Sequence, residues 1–274
     1  MIDPLLELAI HNTPATLSNS DLAYVERGHG HLVVLVHGSL CDMRYWRWQV
    51  NLLYPHAQVL CLSLPGYWPY ESLYMAYDFS LEQHVQAIAD VVAAVQQPSQ
   101  KLIVVGHSRG AQVATQYALE HVVDGLVLAD PAFGSPSHSQ PLAIIDQAAS
   151  LVAAGNESEG LALFIDTVSG SNTWRHMVGW FKTMVTDNAH TLIAQSREQL
   201  PTFSPIQLQS LHALPILLIG GEHSPARYKT SLQALSTLWP NAINCQIAGA
   251  SHGMNLAKPK RFNAAIQQFL TDYF

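Results

Sequence analysis

Charge is scarce in this 274-residue chain: only 12% of its residues are Asp, Glu, Lys or Arg, and no run of Lys or Arg occurs. The balance is acidic, −7 at neutral pH, so the cationic surface that displaces counterions from a phosphate backbone is missing and no nucleic-acid partner is expected. Cysteine is sparse as well. Cys41, Cys61 and Cys245 are widely separated and odd in number, and without a C-x-x-C pair to hold zinc or exchange disulfides they are expected as reduced, mostly buried thiols. No apolar stretch reaches the ~20 residues of a membrane span, and Met1 to Pro14 carry Asp3 and Glu7 but no Lys or Arg of the kind that opens a secretory leader. A cytoplasmic protein with no membrane span is the expectation. What the chain has in plenty is apolar side chain, 49% of residues, enough for one large core.

That apolar material is organised. Leu32 to Val36 (LVVLV) is a short, β-branched run ending at His37-Gly38, the pattern of a strand buried on both faces. Runs of the same character occur at Val59 to Leu64, Leu102 to Val105, Leu126 to Ala129, Ile216 to Ile219 and Ile243 to Ile247, and Leu22 to Glu26 adds an edge strand. Between them, Ser80 to Val95 repeats apolar residues at spacings of three and four, a helical face. Strands alternating with helices predict an α/β fold with a mostly parallel sheet covered on both sides. The alternation breaks between about Phe133 and Pro205, where helical segments carry Leu161, Phe164, Ile165, Trp174, Met177, Trp180, Phe181 and Met184 but no buried strand. These residues suit either a lid over an apolar pocket or the lid's own core.

The sharpest chemical signal is Gly106-His107-Ser108-Arg109-Gly110, directly after the strand-like LIVV and directly before the helical AQVATQYALEH. An abrupt turn from strand to helix strains the central residue, the small flanking residues let the two elements pass closely, and the serine hydroxyl is held out at the carboxyl edge of the sheet. A serine hydroxyl is a weak nucleophile at neutral pH, so an imidazole must take its proton, and fourteen histidines are available. Negative charge developing on a carbonyl oxygen needs fixed donors, and the backbone N–H of Arg109, at a helix N-terminus, supplies one. The Arg109 side chain is open between a substrate carboxylate and a solvent- or lid-facing ion pair. His29 and His31 flank Gly30 in a turn without further ligands, so no metal site is expected there, and His37 and His107 read as loop-orienting residues.

Together, VLVHGSLCDMRYW, SLPGY, VVGHSRGAQVA, LVLADP, PILLIGGEHSP and GASHGMNLAKPKRF resemble the α/β-hydrolase superfamily over nearly the whole chain, from the strand before His37-Gly38 to the C-terminal helix. The chain is similar to the branch of small capped esterases, lactonases, C–C bond hydrolases and cofactor-free haloperoxidases. The resemblance implies an eight-stranded, mostly parallel sheet flanked by helices, with a core of residues 1–132 and 206–274 and a helical cap of residues 133–205 inserted after the sixth strand. It implies Ser108 as nucleophile and His252, in the loop after the last strand, as general base. It also places a second oxyanion donor at Ser39, beside the Arg109 amide. The acid is less defined, because Ser224 stands where many relatives have an aspartate. Asp130, at the end of the strand after the nucleophile helix, is favoured, and Glu222 is the alternative. Ser63 replaces another common aspartate and is expected to affect loop anchoring rather than chemistry. A serine at 108 disfavours dehalogenase and epoxide hydrolase chemistry, which uses an aspartate there.

The implied function is cofactor-independent hydrolysis of an ester-like bond (carboxylic ester, lactone or thioester) in a small, largely apolar substrate through an acyl-enzyme. Two alternatives stand beside it: a ligand-binding, receptor-like protein with little turnover, and lyase or haloperoxidase chemistry on the same scaffold.

Overall fold

The computed structural model describes residues 11–12, 22–69, 79–133, 140–198 and 203–274. Strands β1 (His11–Asn12), β2 (Ala23–Arg27), β3 (Leu32–Val36), β4 (Gln58–Leu62), β5 (Leu102–His107), β6 (Gly125–Ala129), β7 (Ile216–Gly221) and β8 (Ile243–Ile247) form one sheet in the order β1-β2-β4-β3-β5-β6-β7-β8. Pairing is parallel from β4 across to β8, and β2 joins β4 and β1 antiparallel. The two-residue β1 has no counterpart in the sequence reading, since two residues carry no periodicity.

Helices α1 (Arg47–Leu53), α2 (Leu81–Val95) and α3 (Arg109–Glu120) connect the strands up to β6. The Ser80 hydroxyl accepts from the Gln83 amide and so fixes where α2 begins. Between β6 and β7 the described residues form α4 (Gln140–Ala153), α5 (Glu157–Ser169), α6 (Thr173–His176), α7 (Gly179–Asp187), α8 (Thr191–Arg197) and α9 (Pro205–Gln209). The chain ends with α10 (Ala226–Leu238), β8, α11 (Met254–Ala257) and α12 (Pro259–Tyr273).

The period-2 pattern of the strands sorts their side chains into two cores. Val33 and Leu35 of β3 join a cluster with α1 and α12, while Leu32, Val34 and Val36 pack with α2, α3 and Leu235 of α10. Phe164, Ile165, Phe181, Met184 and Leu192 of the β6–β7 insertion belong to the first cluster, and Leu208 of α9 to the second. β8 departs from the expectation of an apolar run like the others. Its sequence INCQI alternates apolar and polar, and at the sheet edge Asn244 and Gln246 are exposed while Ile247 is buried.

Cys41 and Cys61 are buried, Cys245 is half-buried, and no disulfide joins them. Among the described residues no helix is long and apolar enough to cross a membrane.

Candidate active site

The carboxyl ends of β3, β5, β6, β7 and β8 lie at one edge of the sheet, and Ser39, Ser108, Asp130, Glu222, Ser224 and His252 follow them. Ser108 follows β5 with φ 56° and ψ −120°, a conformation costly for a side-chain-bearing residue. The backbone holds it in place: its N–H donates to the Ala129 carbonyl at 3.0 Å, and its own carbonyl accepts from Ala111 at 3.0 Å. A Cβ on Gly106 would lie 2.4 Å from the Gly110 carbonyl oxygen, and one on Gly110 would lie 2.3 Å from the carbonyl oxygens of Val36 and His37. Neither position has room for a side chain, which is the physical content of the Gly-x-Ser-x-Gly spacing.

Asp130 leaves β6 with φ 39°, a second strained residue at the same edge. Its Oδ2 accepts from His252 Nδ1 at 3.1 Å, which leaves Nε2 as the basic nitrogen of that ring. Ser224, where an aspartate was looked for, donates its hydroxyl to the same Oδ2 at 2.5 Å. Glu222 does not reach the imidazole. It is exposed, and its carboxylate accepts from the Gly249 amide at 2.7 Å. Burial pushes the Asp130 carboxyl up to about 6 against the opposing Ser224 hydrogen bond. Burial, with the positive charge of Arg227, holds the His252 imidazolium below its ordinary range. The histidine is therefore neutral at pH 7, as a proton acceptor must be.

The neighbouring histidines orient loops. His107 Nε2 donates to the His252 carbonyl at 2.8 Å, and His37 accepts the Leu64 amide at 3.0 Å while its Nδ1 donates to the Gly38 carbonyl at 2.9 Å. Ser63 accepts the Met43 amide at 3.2 Å and so anchors the loop after β3.

Ser39 follows β3 on the wall of the cavity that also contains Ser108 and His252. Arg109 is the first residue of α3, a position whose N–H has no partner within its own helix. Its side chain turns away from the cavity into a buried ion pair with Glu198, Nε donating at 3.1 Å and Nη2 making a short second bond, while His84 Nδ1 accepts from Nη2 at 3.0 Å. Of the readings open for Arg109, the structure contains the ion pair to the insertion.

The cavity is narrow, with about 50 Å³ of room for water-sized molecules. Cys41 and Tyr45 line it from the core, and Phe164, Ile165, Met177 and Phe181 from the insertion. No Asp, Glu, Lys or Arg is among the described residues that line it. Polar ties fasten the insertion to the core around this space. Asn188 donates to Asp42 at 2.7 Å, Arg44 donates to Asp187 at 2.8 Å, and His190 Nε2 donates to the Gly66 carbonyl at 2.8 Å.

Three contributors escaped the motif reading: Ser224 as a donor to Asp130, Glu198 as the partner of Arg109, and Tyr228, whose ring stacks on His252. The one available signal for Tyr228 was its place in the first helical turn after the Gly220–Pro225 loop.

Residues 33–265 match the profile described as "Alpha/beta hydrolase family". Pimeloyl-[acyl-carrier protein] methyl ester esterase of Yersinia enterocolitica is 24% identical over 251 residues, 86% of this chain and 92% of the relative. Its Vibrio vulnificus namesake is 33% identical over 103 residues, 38% of this chain and 37% of the relative. Mouse epoxide hydrolase 3 is 26% identical over 129 residues, 46% of this chain, and the match spans 35% of that protein. The chain thus spans little more than a third of the last two. Among solved structures, a thermophilic esterase from Thermogutta terrifontis superposes with TM-score 0.77 at 20% identity, over 97% of this chain and 98% of that one.

Proposed function

Because this chain belongs to the alpha/beta hydrolase family, we propose that it is a serine hydrolase that cleaves ester-like bonds through an acyl-enzyme on Ser108. His252 acts as general base and then general acid, Asp130 orients it and stabilises the imidazolium, and the amides of Ser39 and Arg109 hold the oxyanion. Residues 133–205 act as a cap over the cavity.

The observation that carries this reading is the hydrogen bond from His252 to Asp130, with Ser108 and His252 on the wall of one cavity. The esterase names of the Yersinia and Vibrio relatives support the reaction class. Similarity to an epoxide hydrolase does not carry epoxide opening here, because Ser108 stands where those enzymes form their ester on an aspartate. The uncharged lining supports a substrate whose acyl part is small and apolar, since a buried ion without a partner costs several kcal/mol.

In the reaction, Nε2 of His252 takes the Ser108 proton as Oγ attacks the acyl carbon, and the imidazolium then protonates the leaving oxygen. Water, deprotonated by the same nitrogen, releases the acid. The test is labelling by a fluorophosphonate probe together with hydrolysis of p-nitrophenyl butyrate, on the wild type and on Ser108→Ala. Both signals vanish in the variant if the reading is right, and a folded wild type that neither labels nor turns over refutes it.

A further inference from the structure

The short helix α8 is fastened at both ends to the segments that carry the two proposed oxyanion donors, yet the acyl-transfer scheme above gives these ties no task. Asn188 stands at its start, where its carbonyl accepts from the Thr191 amide at 3.0 Å and from the Thr191 hydroxyl at 2.7 Å. The buried Asn188 carboxamide donates to Asp42 Oδ2 at 2.7 Å and to the Met184 carbonyl at 2.8 Å, and it accepts from the Trp68 amide at 2.8 Å. Both of its N–H bonds are thereby used. Asp42 is buried three positions after Ser39, and it also accepts from Arg44 Nε at 3.0 Å and Nη2 at 2.7 Å. At the far end of α8, Glu198 takes two hydrogen bonds from the buried Arg109 guanidinium, and His84 accepts a third. None of Asn188, Glu198 and Asp42 is among the described residues that line the cavity.

The donors need such ties because each adjoins strained backbone. Leu40, directly after Ser39, has φ 60°, and Ser108, directly before Arg109, has φ 56°. Conformations of this kind persist only where the surrounding structure enforces them. The core braces one side: a Cβ on Gly38 would lie 3.0 Å from Ser108 Cβ, and one on Gly110 would lie 2.3 Å from the Val36 and His37 carbonyl oxygens. Beyond that brace, the turn that holds Ser39 is closed by a long hydrogen bond, from the Cys41 amide to the Gly38 carbonyl at 3.3 Å. Asp42 and the Arg109 side chain carry the connection onward, and both end on residues that flank α8.

We propose that Asn188 and Glu198 are positioning residues of the oxyanion hole. Through Asp42 and Arg109 they hold the Ser39 and Arg109 amides at the spacing that a tetrahedral oxyanion requires, so the insertion completes the hole. The inference rests on the serine-hydrolase reading. The hole stabilises charge that is absent from the bound ester, and displacing a donor by a fraction of an ångström weakens the transition state without weakening substrate binding. Because the oxyanion forms in acylation and again in deacylation, kcat and kcat/KM fall together when a tie is cut.

The experiment measures kcat and KM of the full chain with p-nitrophenyl butyrate, together with inhibition by two ketones. Butyl trifluoromethyl ketone takes Ser108 Oγ at its carbonyl carbon while the serine proton passes to His252, and the resulting oxyanion occupies the hole. Butyl methyl ketone adds to serine far less readily and reports binding alone. In Glu198→Gln and in Asn188→Ala, kcat is expected to fall about 10–100-fold with KM within about threefold of wild type. The inhibition constant of the trifluoromethyl ketone rises by the same factor as kcat/KM falls, and that of the methyl ketone stays within about threefold.

Glu198→Gln leaves a buried guanidinium without its counter-charge, so Arg109→Met combined with Glu198→Leu is measured beside it. That pair keeps the packing and the Arg109-position amide, removes the ion pair, and folds; the same losses are expected of it. A folded variant at either end of α8 that keeps kcat within about threefold of wild type overturns the proposal. So does a parallel rise of KM and of both inhibition constants, the mark of an insertion that has merely lost its seat. Nitrophenolate release by Ser108→Ala at the wild-type rate refutes the serine-hydrolase reading itself, whatever the α8 variants do.

Discussion

The sheet edge and the helical insertion face each other across one cavity, but they are built under different constraints. At the edge, backbone meets backbone: Gly106 and Gly110 have no room for a Cβ, and Ser108 and Asp130 hold positive φ angles. A side chain at either glycine forces main chain to move. In the insertion, Phe164, Ile165, Met177 and Phe181 contribute apolar surface to the cavity, and other side chains of similar volume can fill the same space. The difference separates two jobs. In the proposed function, reaction geometry rests on strand ends that tolerate little, and selectivity rests on packing that can be exchanged.

Variants sharpen this comparison, beginning with the edge. Ser108→Ala is expected to reduce ester turnover by about 10⁴-fold or more with an unchanged melting curve. Asp130→Asn lowers kcat about 10³-fold, whereas Glu222→Gln stays within about threefold of wild type; equal losses in the two would break the assignment of Asp130. The same Asn variant carries a second signature. Burial raises the Asp130 carboxyl from its ordinary 3.8 to about 6, so its contribution to stability is fully present below about pH 3.8 and is lost as pH rises through about 6. At pH 8 the ionised, buried group therefore costs about 3 kcal/mol, and Asp130→Asn recovers part of this, read as a higher urea midpoint in a nearly inactive protein.

The tie between the two regions is the next to break. Glu198→Gln leaves the Arg109 guanidinium buried without its counter-charge, and the expected cost is about 3–5 kcal/mol in urea unfolding. A cost near zero would mean that the insertion does not depend on this pair. The pH profile is a gentler probe: kcat/KM falls about tenfold per unit below about pH 6, as Asp130 takes up a proton and no longer stabilises the imidazolium. The smallest effect is expected from the insertion's wall. Met177→Ala changes KM for p-nitrophenyl esters by a few-fold in a chain-length-dependent way and leaves kcat within about threefold. A large kcat loss there would erase the division between edge and insertion.

That division also explains what could be read in the sequence. Gly106, Ser108 and Gly110 are legible because the turn admits almost nothing else, and the β-branched runs are legible because strands buried on both faces need them. β8 is less legible, since Ile243 and Ile247 give it the ends of such a run while Asn244 and Gln246 between them are exposed. Asp130 and Glu222 stayed open in the sequence because both bring a carboxylate to the same edge. The choice depends on backbone direction, and only Asp130 faces His252. Tyr228 and Glu198 were silent for a different reason. Their partners lie 24 or more positions away, and one of ten tyrosines or a lone glutamate carries no mark of such a contact.

The 2.5 Å hydrogen bond from Ser224 to Asp130 joins two neighbouring strand ends at a single point beside the imidazole. In the proposed mechanism a negative charge can serve that point from either strand. An exchange by Ser224→Asp followed by Asp130→Ser passes through an intermediate that holds both acids. Two carboxylates so close share one proton and carry one net charge between them. The acid can thus be moved from one strand to the next through variants that always carry one.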